Sequence, residues 1–513
     1  MKLKELAIEV EPLAGAMPAF RASVAAAELP ELCGWARASK ARLVALWGSD
    51  ETRRGAGYAL HLALAFPSGL LWLSVPLARN DPRYPGIADI YPAANRMQRA
   101  CADLLGIRPD EADGRKWLRH GAWPANAFPL RKDFESAARF APEPDRYPFV
   151  AVAGEGVHEI PVGPVHAGTI EPGHFRFSIV GEKILRLEER LGYKHKGIEK
   201  RFEAMTLGEG AKLAGRISGD STVAYAWAYA MAVEGATGAE PPRRALALRG
   251  ILLELERIAN HLGDLGYLGN DVALSFGFFQ FWRLKEELLR TNARLFGHRY
   301  LMDAVVPGGI ARDLARTEAE DLVQHLEALR REVTTLQSIY EEHAGAQDRF
   351  IMTGQVLPEL AERMGLNGFA GRASGVKHDL RVDYPIPPYQ QLDPVLISHT
   401  RGDVAARVSV RFEEVFESMR LIEALVQEVP PGEIRAPIAK AKSGACGVGW
   451  IEGWRGEVLI TLETDGDRIH RLHPHDPSWQ NWPLLEHAVH GNIVPDFPLI
   501  NKSFNLSYSG QDL

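Results

Sequence analysis

Three groups of residues in this chain have types and spacings that could do chemistry. The first is Glu171 with His166, His174 and Arg176 close by. A partly buried carboxylate with a raised pKa can relay a proton, and an imidazole can hydrogen-bond a carbonyl oxygen such as that of a quinone. The second is Arg216-Ile217-Ser218-Gly219-Asp220-Ser221, and the third is the terminal run Ser507-Tyr508-Ser509-Gly510-Gln511-Asp512-Leu513. Glu171, Asp220 and the serine hydroxyls together would suit a hard cation such as magnesium. A serine hydrolase built from these serines with His174 and Asp220 has no G-x-S-x-G elbow to support it. Each group also has a plainer reading: hydrogen-bonded structural histidines, a Glu171 salt-bridged to Arg176, and serines that only fill space. His195 is read as structural. His470, His473, His475, His487 and His490 are irregularly spaced, which fits a solvated surface better than a metal site.

The elements that must position these residues belong to a long chain. Its 513 residues exceed one ordinary core, so two or three domains are expected. With 46% hydrophobic and 24% charged residues and a net charge of -7, it has the composition of a globular protein and no basic bias toward nucleic acid. The 3 cysteines, Cys33, Cys101 and Cys446, lie far apart and form no C-x-x-C pair. They give neither a disulfide framework nor a zinc site, and a cytoplasmic setting is expected. The N-terminus has lysines but no apolar core, so no secretory signal is expected. The most apolar stretch, Tyr58 to Ala78, is interrupted by Pro67-Ser68-Gly69 and alternates on both sides, which predicts a β-hairpin and not a membrane span.

Residues 1–140 read as a small α/β domain. Leu43 to Trp47 and the two arms of the hairpin are strands, and Ile90 to Leu105 is a helix with Ala94, Met97, Ala100, Cys101 and Leu104 on one face. Residues 141–156, with Pro142, Pro144 and charges, read as a linker. Residues 157–513 read as a mainly helical domain with β elements near both ends. Strands are expected between Glu159 and Glu189. Helices follow over Ala224–Glu234, Ala245–Gly266, Phe278–Phe296, Leu314–His343 and Val404–Val429, and alternation returns over Val448–Asp465. The fold class is therefore α+β and multidomain.

Several runs carry a resemblance to known families. Leu104-Leu105-Gly106-Ile107 and Phe128-Pro129-Leu130-Arg131-Lys132-Asp133-Phe134 resemble the 30-kDa-type domain of respiratory complex I. The second part resembles the 49-kDa-type protein of complex I and the large subunit of group 4, formate hydrogenlyase or hydrogenase-4 type, nickel-iron hydrogenases. The runs that carry this are Ile170 to Arg176, Gly192 to Lys200, Ala228 to Glu234, Glu256 to Leu262 and Glu452 to Glu457, all in one order. The Arg216 and terminal segments resemble the two halves of the hydrogenase metal signature, R-x-C-G-x-C and D-P-C-x-x-C. Ser218, Ser221, Ser507 and Gly510 stand where the cysteines would be. Hydroxyls and a glycine cannot replace a soft thiolate cage, so no metal is expected in this chain. With Leu513 three residues beyond Gly510, no maturation tail is expected either.

The resemblance implies that Glu171 matches the hydrogenase glutamate that relays protons, with His174 beside it as a second catalytic candidate. It also implies a cavity lined by His166, Arg176, Arg216, Ser218, Gly219, Asp220, Ser221 and Ser507. At the two positions where complex I places its quinone donors, a histidine and a tyrosine, this chain has Pro172 and Gly219, so a quinone would need a new geometry. The implied function is that of an oxidoreductase component in a membrane-bound complex of the NADH-quinone oxidoreductase and hydrogenase kind, coupled to ion translocation. The implied partners are a B-like iron-sulfur small subunit with a [4Fe-4S] cluster, a ferredoxin-type iron-sulfur protein, and membrane proteins of the H type and the antiporter type. The implied place is the inner face of the cytoplasmic membrane. The alternatives are a non-catalytic coupling scaffold in the same complex and, least favoured, a working hydrogenase.

Overall fold

The computed structural model describes residues 8–513 except Ala112, Ala122, Pro142, Asp145 and Ala204. The reading of residues 1–7, and of Pro142 and Asp145 in the linker, falls outside the described residues.

The first part is a sheet of five strands in the order Val10–Leu13, Ala19–Ser23, Gly69–Leu77, Tyr58–Phe66, Arg42–Asp50. The expected hairpin is its centre, with Phe66 opposite Gly69. Gly69 has φ +134, and a Cβ there would meet the Pro18 carbonyl oxygen at 2.5 Å, so only glycine fits this turn. The helix against the sheet runs Ala94–Leu105 and starts later than the sequence suggests, beyond Pro92. Its expected apolar face is buried throughout.

The second part opens with an antiparallel sheet of Val157–Val162, His174–Val180 and Lys183–Arg190. The helices follow as Thr222–Thr237, Arg243–Asp271, Ser275–Phe296, Arg316–Glu342 and Val404–Glu428. Thr222–Thr237 is apolar all round and correspondingly central. It lies on the hairpin Cys446–Glu452 and Glu457–Asp465, which Gly447 and Gly449 allow to come very close. A Cβ on either glycine would meet the carbonyl oxygen of Ala232 or Ala228 at 1.8 Å.

A third strand, Arg468–His475, completes the last sheet and corrects the reading of the C-terminal histidines. His470, His473 and His475 are buried on it, and only His487 and His490 remain exposed. Alternation is hidden because polar residues on both faces of this strand find partners inside. Burial pushes the His475 imidazole down to about 3, so it packs as a neutral ring. The ring of His473 stacks on Trp47 of the first part at 5.0 Å. Both large apolar clusters draw on residues from before and after the linker. Among the described residues, no helix is long and apolar enough to cross a membrane.

Candidate functional site

The Arg216 segment is a short link between the helices Leu207–Ala214 and Thr222–Thr237, and the terminal run forms a final turn of helix, Tyr508–Asp512. The fold brings Ser218 and Ser507 together, with their hydroxyls 2.8 Å apart. The direction of this bond follows from its neighbours. Ser218 gives its one proton to Asp220 Oδ1 at 2.8 Å, so the Ser507 hydroxyl must be the donor to Ser218. Ser507 in turn accepts from the Gly510 N–H at 2.8 Å, capping the last helix. On the far side, Arg455 reaches Asp220 Oδ2 at 2.6 Å and Ser221 Oγ at 3.3 Å. The result is one aligned chain of bonds from the Gly510 amide through two hydroxyls to a carboxylate–guanidinium pair.

This arrangement does not fit a nickel-iron centre. The available donors are hydroxyls, and Ser218 and Ser507 already satisfy each other across the space a metal would need. Gly510 has no side chain, and a Cβ built there would meet Asp476 Oδ2 at 2.1 Å. Asp476 is fixed in that place by the Tyr225 hydroxyl at 2.6 Å and the Ser478 N–H at 2.8 Å. Burial pushes the Asp220 carboxyl up, but Arg455 and the Ser218 hydroxyl outweigh it and hold it at about 2. Solvent still reaches 41% of this side chain, beside Gly219, where an added Cβ would meet open space.

Glu256, on the neighbouring long helix, faces the same hollow. It accepts from the N–H groups of Val223 at 2.6 Å and Ala224 at 3.2 Å, at the start of the helix that follows Ser221. Burial raises its carboxyl to about 8 despite those two donors, and the Asp220 charge raises it further. The fold thus favours its protonated form.

Glu171 stands elsewhere. It lies before the strand His174–Val180, accepts from the Ser509 amide at 3.0 Å and from the Ser509 hydroxyl, and faces Lys194 at 3.5 Å. It is not held by Arg176, which pairs with Glu159 at 2.9 Å and covers the ring of Phe149. Arg216 points away from the serines to Asp303, with bonds of 2.6 and 2.7 Å. Thus Ser218, Asp220, Ser221 and Ser507 form one cluster with Gly219 at its mouth, while Arg176 and Arg216 serve other contacts. The hard-cation reading fails because Glu171 and Asp220 are each tied to other partners, Asp220 to a guanidinium. The hydrolase reading fails because Ser218 bonds Asp220 and Ser507, and His174 bonds the Gly163 carbonyl.

His166, in the loop before the strand His174–Val180, and His174, the first residue of that strand, share one feature. His166 Nδ1 pairs with the Pro164 carbonyl at 3.1 Å and His174 Nδ1 with Gly163 at 3.3 Å. The Nε2 atom of each is buried and has no partner among the described residues. Burial lowers the His174 pKa, which favours a neutral ring.

Several working residues escape a reading of the sequence. Arg455 lies within the Glu452–Glu457 run, which marks the family but gives it no role. Lys196 bridges the two serine segments by donating to the carbonyls of Ile217 and Ser509, both at 3.0 Å. Glu256 likewise opens the Glu256–Leu262 run without a role attached to it, and Asp476 and Tyr225 carry no local signal. Among the described residues, one trio of potential metal ligands converges, Glu51, Glu463 and His470. Arg54 already pairs with both of its carboxylates.

Comparison with known proteins agrees with this layout. Residues 22–140 match the family described as the respiratory-chain NADH dehydrogenase 30 Kd subunit, and residues 271–446 the 49 Kd subunit. The chain is 32% identical over 480 residues to formate hydrogenlyase subunit 5 of Escherichia coli (strain K12), covering 92% of this chain and 84% of that protein. It is 30% identical over 450 residues to the C/D subunit of the NADH-quinone oxidoreductase of Phocaeicola vulgatus, covering 83% and 86%. Among solved structures, a chain of the membrane-bound sulfane sulfur reductase (MBS), an archaeal respiratory membrane complex, superposes with a TM-score of 0.66 at 23% identity. The match covers 71% of this chain and 100% of that one.

Proposed function

The chain belongs to the family that joins fused 30- and 49-kDa-type components of complex I to the large subunits of group 4 membrane-bound hydrogenases, and from this premise we propose that it serves such a complex without a nickel-iron centre. It sits in the electron-transfer arm, beside a B-like small subunit that carries a [4Fe-4S] cluster and a ferredoxin-type protein. It rests on membrane proteins of the H type and the antiporter type, at the inner face of the cytoplasmic membrane. The observation that carries this reading is the direct Ser218–Ser507 hydrogen bond, backed by Asp476 in the space a side chain at 510 would occupy. In place of a metal cage, the frame holds itself together.

An electron acceptor, if a quinone or another carbonyl compound, is then met at His166 and His174 and not between the serines. The Nε2 atoms of His166 and His174, without a partner among the described residues, support this. With each Nδ1–H given to a backbone carbonyl, Nε2 of the neutral ring accepts from the hydroxyl of a reduced, hydroquinone-type ligand, and only the protonated ring donates to a carbonyl oxygen. The deciding experiment is purification of the membrane complex from its native host, with metal analysis, hydrogen-evolution and acceptor-reduction assays. We expect iron from the partners, nickel well below one per complex, and no hydrogen evolution. Stoichiometric nickel on this chain would sink the reading.

The filled serine site favours a second reading, a coupling scaffold with no reacting group of its own. His166→Asn and His174→Asn separate the two. Loss of acceptor reduction with the complex still assembled supports a reaction site, and unchanged turnover supports the scaffold.

A further inference from the structure

Away from the serine site, the surface has a cavity of about 400 Å³ between the helix Leu207–Ala214 and the segment Asp303–Pro307. Its size falls in the range of roughly 300–1,000 Å³ typical of small-molecule sites. Leu207, Ala211, Val233, Val306 and Ile438 make its floor and walls apolar. Three charged residues stand on the lining: Lys212, Arg435 and Asp303. Asp303 is taken by the two bonds from Arg216. Lys212 and Arg435 are exposed, and neither side chain makes a hydrogen bond or ion pair among the described residues. The lining therefore offers an apolar hollow with two exposed cations at its rim, and its one acid is held by Arg216 with a further pull from Lys212.

We propose that this cavity binds a single-chain amphiphile with an anionic head, the chain on Leu207, Val233 and Ile438 and the head between Lys212 and Arg435. A neutral molecule of the same shape leaves both cations unpaired. A small anion alone leaves the apolar floor wet, so head and chain are both required.

Calorimetric titration of the full chain with dodecanoate, dodecyl phosphate, 1-dodecanol, a short-chain quinone and inorganic phosphate tests this, each amphiphile kept below its micelle concentration. The two anionic amphiphiles should bind at one site, and the alcohol, the quinone and inorganic phosphate at least tenfold more weakly. Lys212→Glu with Arg435→Glu should weaken dodecanoate about tenfold, the combined worth of two solvent-reached ion pairs. Ala211→Trp, which fills the cavity from the helix surface, should abolish binding while leaving the melting temperature near that of the parent. Equal affinity for dodecanol or the quinone, or no effect of the charge reversal, overturns the anionic head. Undiminished binding to Ala211→Trp, or no binding of either anion to the parent, overturns the site.

Discussion

At the scale of single residues, the serine site shows how the signature positions are held without a metal. Gly510 fits because Asp476 fills the space beside it, so placing a cysteine there is costly. Gly510→Cys should destabilise the protein by about 1–3 kcal/mol through overpacking against the Asp476 carboxylate, read by urea unfolding. Adding Asp476→Ala should recover part of that loss without creating a nickel site, and a Gly510→Cys variant as stable as the parent would refute the steric account. Glu256 makes a second prediction. Its folded-state carboxyl lies near 8, above the ordinary glutamate value of 4.5, so the fold favours the protonated form. Stability from this group is full at low pH and declines as pH rises from about 4.5 to 8, by on the order of 5 kcal/mol in all. Glu256→Gln keeps an acceptor for the Val223 amide and cannot ionise. Its unfolding free energy should therefore fall less across that window, and identical slopes for variant and parent would count against the assignment. None of this is legible in the sequence. The serine positions can be read from their spacing in the resembling motifs, but the contacts of Asp476 with Gly510, of Arg455 with Asp220 and of Glu256 with the Val223 amide join elements distant in the chain.

At the scale of elements, helices and hairpins are legible because their periodicity is local. The central helix and the Tyr58–Leu77 hairpin lie within a few residues of their expected positions. Arg468–His475 is not legible, because a strand that buries polar side chains such as His470, Arg471, His473 and His475 on both faces does not alternate. The close packing of Thr222–Thr237 on the last hairpin also goes unread, although Gly447-Val448-Gly449 opposite a helix rich in alanine is its signature. This contact positions the serine link, which leads directly into that helix. Gly449→Ala would place a methyl 1.8 Å from the Ala228 carbonyl oxygen, so the helix must lift off the sheet. We expect a loss of about 3 kcal/mol or more, at the upper end of overpacking costs. Faster amide exchange should appear across Thr222–Thr237, along with disturbance of Ser218 and Asp220. A change confined to the hairpin would show that the helix does not depend on this contact.

At the scale of the whole molecule, the resemblance divides the chain in two, but its packing does not. Strand Arg42–Asp50 meets the last sheet through a buried ion network. Arg471 donates to the Gly48 carbonyl at 2.9 Å and to Glu199 Oε1 at 2.6 Å, and His473 bonds the same carboxylate oxygen at 2.8 Å. Burial raises the Glu199 carboxyl, but Arg471 and His473 more than offset this and hold it at about 2. Because this value lies below the ordinary 4.5, the network's stability is present at neutral pH and is lost as pH falls from about 4.5 through 2. Arg471→Leu would strand a buried carboxylate and cost about 3–5 kcal/mol. Glu199→Gln added to it should cost less than Arg471→Leu alone, since the penalty is the unpaired charge and not the missing contact. With both apolar clusters shared across the linker, the parent should unfold in one transition, followed by tryptophan fluorescence and calorimetry together. The single variant should lower that one transition. If Arg471→Leu instead separated the melt into two steps with the later one unshifted, the two parts would be independent domains that merely touch.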